Sequence, residues 1–96
     1  MDIEILSPIK KIFSGSVDSV IVPGKNGSFQ MLNNHAPIVS VLGKGKIEIF
    51  TKNSTINPQE LDSLFVQSLE NSSIYTIAVD SGVIELNKNK LIILIE

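Results

Sequence analysis

The chain has 96 residues, 43% of them hydrophobic and 19% charged, and carries a formal net charge of −2. That length suits one domain spanning 1–96, and the apolar share supports a packed core rather than disorder. The acidic balance excludes the clustered positive field that nucleic acid requires, and the absence of cysteine excludes disulfides and thiolate metal sites.

The elements follow in chain order. The opening Met1-Asp2-Ile3-Glu4 is acidic where a signal peptide is basic. Ile3 and Ile5 alternate with Asp2 and Glu4, the period of a half-buried strand, until Pro8 interrupts it. A second strand is expected over Lys10 to Phe13, ending at Ser14-Gly15. A third covers Val17 to Val22 and stops where Pro23-Gly24 forces a turn. Asn26-Gly27 adds a tight-turn signal. Ser28 to Leu32 forms a strand with Phe29 and Met31 on one face, and Asn33-Asn34 breaks it. Pro37 holds Ala36 extended, and Ile38 to Leu42 continues as a strand. Gly43 and Gly45 mark a hairpin turn before the alternating Lys46 to Phe50.

The middle of the chain changes character. Asn57 as N-cap, Pro58 at the first helical position and Glu60 as an early acid predict a helix over about 58–70. Leu61, Leu64, Phe65 and Leu69 then supply one apolar stripe. Strands return at Ile74 to Val79, Val83 to Leu86 and Leu91 to Ile95, the last two joined by a hairpin through Asn87-Lys88-Asn89-Lys90. Leu91 to Ile95 is the longest apolar run, far short of a membrane span. The pattern predicts an all-β fold, a flattened sandwich or barrel of about nine to ten short strands with one short inserted helix.

Chemistry has few places to sit. His35 is the single histidine, so a hydrolase would have to build its nucleophile–base pair there, and no nucleophile elbow accompanies it. No catalytic residue, cofactor site or metal site is therefore assigned. Gly43-Lys44-Gly45-Lys46 lacks the spacing of a phosphate-binding loop, and Gly24 and Gly27 do not open a helix as a dinucleotide fingerprint does. What stands out is the polar block from Pro23 to Pro37, two turn motifs and the histidine on a sheet scaffold, where binding residues tend to gather.

That block carries a family resemblance. Val22-Pro23-Gly24-Lys25-Asn26-Gly27-Ser28-Phe29-Gln30-Met31-Leu32-Asn33-Asn34-His35-Ala36-Pro37 resembles the signature of F-type ATP synthase epsilon subunits. The family pattern there runs V-x-G-x-x-G-x, then Phe or Leu, then Gly, Ile or Met, Leu or Tyr, and P-x-H-A-P. Ile5-Leu6-Ser7-Pro8 with Lys11-Ile12-Phe13-Ser14-Gly15 is similar to the family's opening. Gly82-Val83-Ile84-Glu85-Leu86 with the apolar Leu91 to Ile95 is similar to the close of its β-domain. Gln30 replaces a usual glycine, Asn33 a usual proline and Ser81 a frequent glycine. The stretch from Thr51 to Ser73 is longer than the family's hairpin and does not match.

The resemblance implies a non-catalytic rotor subunit of the central stalk. It would bind the gamma subunit and the polar loops of the membrane c-ring within a large hetero-oligomer, coupling proton flow to ATP synthesis. Peripheral placement at the cytoplasmic face of a bacterial membrane follows, without direct membrane insertion. Carried onto this chain, the partner-binding positions would be Gly24, Asn26, Gly27, Ser28, Gln30, Met31, His35, Ala36 and Pro37. Family members commonly continue into two C-terminal helices, and the expectation here is a short form without them. The alternative reading is a generic β-sandwich adaptor.

Overall fold

The computed structural model describes residues 1–52 and 62–96. Its ten strands form one hydrogen-bonded sheet. They are β1 (Asp2–Leu6), β2 (Lys11–Ser16), β3 (Ser19–Gly24), β4 (Gly27–Leu32), β5 (Ile38–Leu42), β6 (Gly45–Phe50), β7 (Val66–Gln67), β8 (Ile74–Val79), β9 (Gly82–Asn87) and β10 (Lys90–Ile95).

The sheet folds into two halves. One half has the order β2-β1-β10-β9-β5 and the other β3-β6-β8-β7, with β4 on the far side of β3. A single residue pair, Gly24 with Leu42, joins them. Two backbone bonds flank that pair, Lys25 N–H to the Val41 carbonyl at 2.9 Å and Gly43 N–H to the Pro23 carbonyl at 2.8 Å. β3 pairs with β6 only over Ser19 to Ile21. Pro23 thus stands where β3 leaves β6 for β5, a place where a missing donor does not interrupt a ladder.

Alternation fills the space between the halves. Ile3, Ile5, Ile84, Leu86, Leu91 and Ile93 come from the first half, and Val20, Val22, Met31, Ile47, Ile49 and Ile77 from the second, all buried. Each such side chain, fully buried, contributes about 1.5–3 kcal/mol relative to exposure. A β-bulge enlarges the core at one corner. Ile5 pairs with Phe13 but Leu6 with Lys11, which leaves Ile12 as the extra residue. Ile12 and Phe13, neighbours in sequence, are consequently both buried. At the far end, the Met1 amino group donates to the Val17 carbonyl at 3.0 Å and to Asn33 Oδ1 at 2.5 Å.

Three sequence expectations are corrected. Pro23-Gly24 lies inside β3, and the turn is Lys25-Asn26, with Gly27 at φ 130°. Gly43 and Lys44 link β5 to β6, but those strands are not paired and β3 stands between them, so the link is a crossover and not a hairpin. The expected helix over 58–70 begins outside the described residues. From Asp62 onward the chain is a turn followed by β7, whose Val66 and Gln67 pair with Thr76 and Tyr75. Local side-chain bonds compete with helix here. Asp62 Oδ1 accepts from Leu64 N–H at 2.9 Å, and Ser68 Oγ accepts from the N–H groups of Glu70 and Asn71. By contrast, the Asn87–Lys90 hairpin forms as expected. Lys88 and Asn89 both take positive φ, 51° and 60°, as a type I′ turn requires.

Gly24 has no room for a side chain. A Cβ there would lie 2.6 Å from the Gly27 carbonyl oxygen and 2.8 Å from the Phe29 ring. Gly24→Ala is expected to cost about 1–3 kcal/mol through overpacking. Urea unfolding checks this, as a lower midpoint with unchanged slope.

Candidate partner-binding face

Two features of the first half-sheet meet at β5. The first is a row of apolar side chains on its outer surface. Val41 pairs with Val83, Val83 with Leu94, and Leu94 with Leu6, so the row crosses β5, β9, β10 and β1. Val41, Val83 and Leu94 are exposed and Leu6 is half-buried. The adjacent row alternates in character, Val39, Glu85, Ile92, Glu4 and Ser14. Val39 is 76% exposed, which sets it on the solvent side and not against the core.

The second feature is the tip of the β3–β4 hairpin. Glycine accepts the φ of 130° at position 27, where a side chain would be strained. Held by the Lys25–Val41 backbone bond, the tip overhangs β5. Gly24, Asn26, Gly27, Ser28 and Phe29 face Val39, Ser40, Val41 and Val83 across an open groove of about 670 Å³. Phe29 is half-buried and packs on the core edge. The groove and the apolar row share Val41 and Val83, so they form one continuous surface.

The structure sorts the expected contact residues into three groups. Gly24, Asn26, Gly27 and Ser28 converge on the groove. His35, Ala36 and Pro37 form a separate corner beyond the other end of β4. There His35 N–H closes a turn onto the Leu32 carbonyl at 3.1 Å, with Asn34 at φ 63°, a conformation asparagine tolerates. The His35 ring makes one hydrogen bond among the described residues, between Nδ1 and the Ala36 carbonyl at 2.7 Å. Pro37 borders Val39 and Glu85, so this corner adjoins the outer face of β5.

Gln30 and Met31 fall elsewhere. Gln30 donates from Nε2 to Ser19 Oγ at 3.2 Å, along the hairpin itself. Met31 points inward and is fully buried, which corrects its assignment as a contact residue. Its place follows from the same alternation that turns Gln30 and Leu32 outward. Asn33, one of the departures from the family pattern, uses its side chain to hold the Met1 amino group.

Val39, Val41, Val83 and Leu94 escaped the sequence reading. In Ile38-Val39-Ser40-Val41-Leu42 four of five residues are apolar, so alternation alone cannot say which face is wet. A signal was nonetheless available. Glu85 marks the solvent face of its strand, and Val83, two residues before it, must share that face.

Comparison with known proteins then bears on the whole chain. Residues 1–68 match the β-sandwich domain of the ATP synthase delta/epsilon chain. The ATP synthase epsilon chain of Chlorobaculum tepidum is 35% identical over 94 residues, covering 98% of this chain and 86% of that one. The epsilon chain of Leptospira interrogans is 38% identical over 85 residues, 88% of this chain. The match spans 65% of the length of that relative. Among solved structures, a chain in the central stalk/c-ring structure of the Tetrahymena thermophila mitochondrial ATP synthase superposes with a TM-score of 0.67. It covers 99% of this chain and 62% of that one at 16% identity, a likeness of fold.

A packing role for Met31 separates from a contact role by experiment. Met31→Ala is expected to lower stability by about 2–5 kcal/mol, the cost of a core truncation. Thermal and denaturant unfolding of the isolated chain measure it.

Proposed function

The chain belongs to the ATP synthase delta/epsilon chain β-sandwich family, and from that premise we propose that it acts as a non-catalytic rotor subunit of the central stalk. In this reading it docks the gamma subunit onto the membrane c-ring and so couples proton translocation to ATP synthesis. It sits peripherally at the cytoplasmic face of a bacterial membrane.

One observation carries the reading: the continuous exposed surface built from the Val41–Val83–Leu94–Leu6 row and the overhanging Gly24–Phe29 tip. A contiguous apolar patch with a polar rim is the usual mark of a protein contact. Here the rim is Glu4, Glu85 and the hairpin tip. Gamma occupies the apolar row, where desolvation yields the most free energy. The polar loops of the c-ring meet the exposed backbone of the Gly27 tip and the His35–Pro37 corner, where glycine permits close approach. A subunit that transmits torque should also be stiff. Two half-sheets packed on one interior meet that need, since close-packed cores resist compression.

The expected behaviour is specific. Val41→Asp places a charge where the apolar row meets the hairpin tip. It should weaken capture of gamma by at least about tenfold, equivalent to about 1.4 kcal/mol, while the thermal midpoint of the isolated chain shifts little. His35→Ala should leave that capture within about twofold. Titration of purified gamma against each variant measures this. Undiminished binding by Val41→Asp, with the fold intact, would contradict the placement of gamma on this face.

A further inference from the structure

Among the described residues, the Gly24–Leu42 bridge is the one strand pair between the two halves of the sheet. On the opposite side the free margins are β2 and β7, and the segment from Asp62 to Gln67 spans between them. Contacts at both ends hold it. Lys10 Nζ lies 2.7 Å from Asp62 Oδ2. The Phe65 ring meets Phe13 of β2 edge to face, with centroids 5.8 Å apart and planes at 67°. Val66 and Gln67 pair with β8. Gln67 Nε2 donates to the Ser72 carbonyl at 2.9 Å and to the Tyr75 hydroxyl at 3.3 Å.

Both anchorages are organised in advance. Lys10 sits in a corner fixed by Ser7, whose N–H donates to the Lys10 carbonyl at 2.9 Å and whose Oγ accepts from Lys10 N–H at 3.2 Å. Asp62 is held by Leu64 N–H, and its carbonyl accepts from Phe65 N–H at 3.0 Å. The Lys10 side chain first, and then the Leu64 amide, keeps the Asp62 carboxyl below the ordinary carboxylate range. The neck of the excursion is closed independently. Thr51 N–H and Oγ1 both donate to the Ser73 carbonyl, at 2.9 and 2.8 Å. β6 and β8 therefore stay paired whether or not the segment between them is docked.

We infer that residues 62–67 form a releasable strap that closes the second seam of the sandwich. Its hold on the β1–β2 corner opens without unfolding the rest. Among the described residues, the pair of half-exposed Lys10 with a largely covered Asp62 and one ring contact secure the far end, against a core of many buried residues. The ion pair is weakened by salt. Release bares the face of the Phe13 ring that Phe65 covers, at the margin where β2 ends the sheet. The strap is thus an ionic-strength-dependent cover over Phe13 at the margin opposite the bridge, separate from the face assigned to gamma.

Hydrogen exchange of the full chain, read by mass spectrometry, tests it. In Lys10→Gln, peptides covering 62–68 and 10–16 should exchange about two- to fivefold faster, the weight of a surface pair with one exposed partner. The wild-type chain in about 1 M salt, where the Debye length falls to about 3 Å, should show the same acceleration. Phe65→Ala should accelerate those peptides by at least about tenfold, since ring contact and apolar burial are lost together. β9 and β10 should keep their wild-type rates throughout. The inference is overturned if 62–68 exchanges equally in all samples. It is equally overturned if β9 and β10 accelerate by the same factor, for the strap would then open only with global unfolding.

Discussion

The structure depends on one constraint: a single residue pair has to carry the sheet from one half to the other. At Gly24–Leu42 the β3 strand leaves β6 and takes up β5. That hand-over needs a glycine, because the Gly27 carbonyl and the Phe29 ring occupy the space of a Cβ. It tolerates a proline beside it, because no ladder partner asks for that amide. Three consequences follow. The halves face each other and enclose the apolar interior. The hairpin tip is left overhanging β5. The outer surface of the first half stays uncovered, with its valines and leucine in the open.

Much of this was legible in the sequence, for identifiable reasons. Ile3/Ile5, Ile47/Ile49 and Leu91/Ile93/Ile95 alternate cleanly and lie on strands whose inward faces are buried. Asn87 to Lys90 is a turn by its residues, and it turns. The failures have physical causes too. Pro23-Gly24 has turn chemistry but sits at a place where neither the missing donor nor the missing side chain does harm. The Leu64, Phe65 and Leu69 spacing has a helical period. Asp62 and Ser68 divert the backbone locally, and the edge of β8 offers Val66 and Gln67 a partner.

The candidate surface was harder to read than the strands. A turn motif locates the hairpin tip, so Gly24, Asn26, Gly27 and Ser28 were legible as neighbours, and they line the groove. Met31 lies in the same motif yet faces the core, because membership of a motif says nothing of which way a side chain points. Val39 and Val41 were invisible, since an exposed valine in an apolar strand has the same letters as a buried one. Only the register against Glu85 and Glu4 reveals the face they share. The family resemblance pointed to the β3–β4 hairpin and could not supply that register.

Placement of gamma on the outer face of the first half-sheet is the central claim. The chain contains no cysteine, so one introduced cysteine reports one position. Val41→Cys samples the proposed face, and Ala78→Cys samples the exposed outer face of β8 on the other half. Each variant, labelled with a short thiol photocrosslinker and mixed with gamma, gives a direct readout on a gel. The account predicts a gamma adduct from Val41→Cys and none from Ala78→Cys. An adduct from Ala78→Cys without one from Val41→Cys would contradict it.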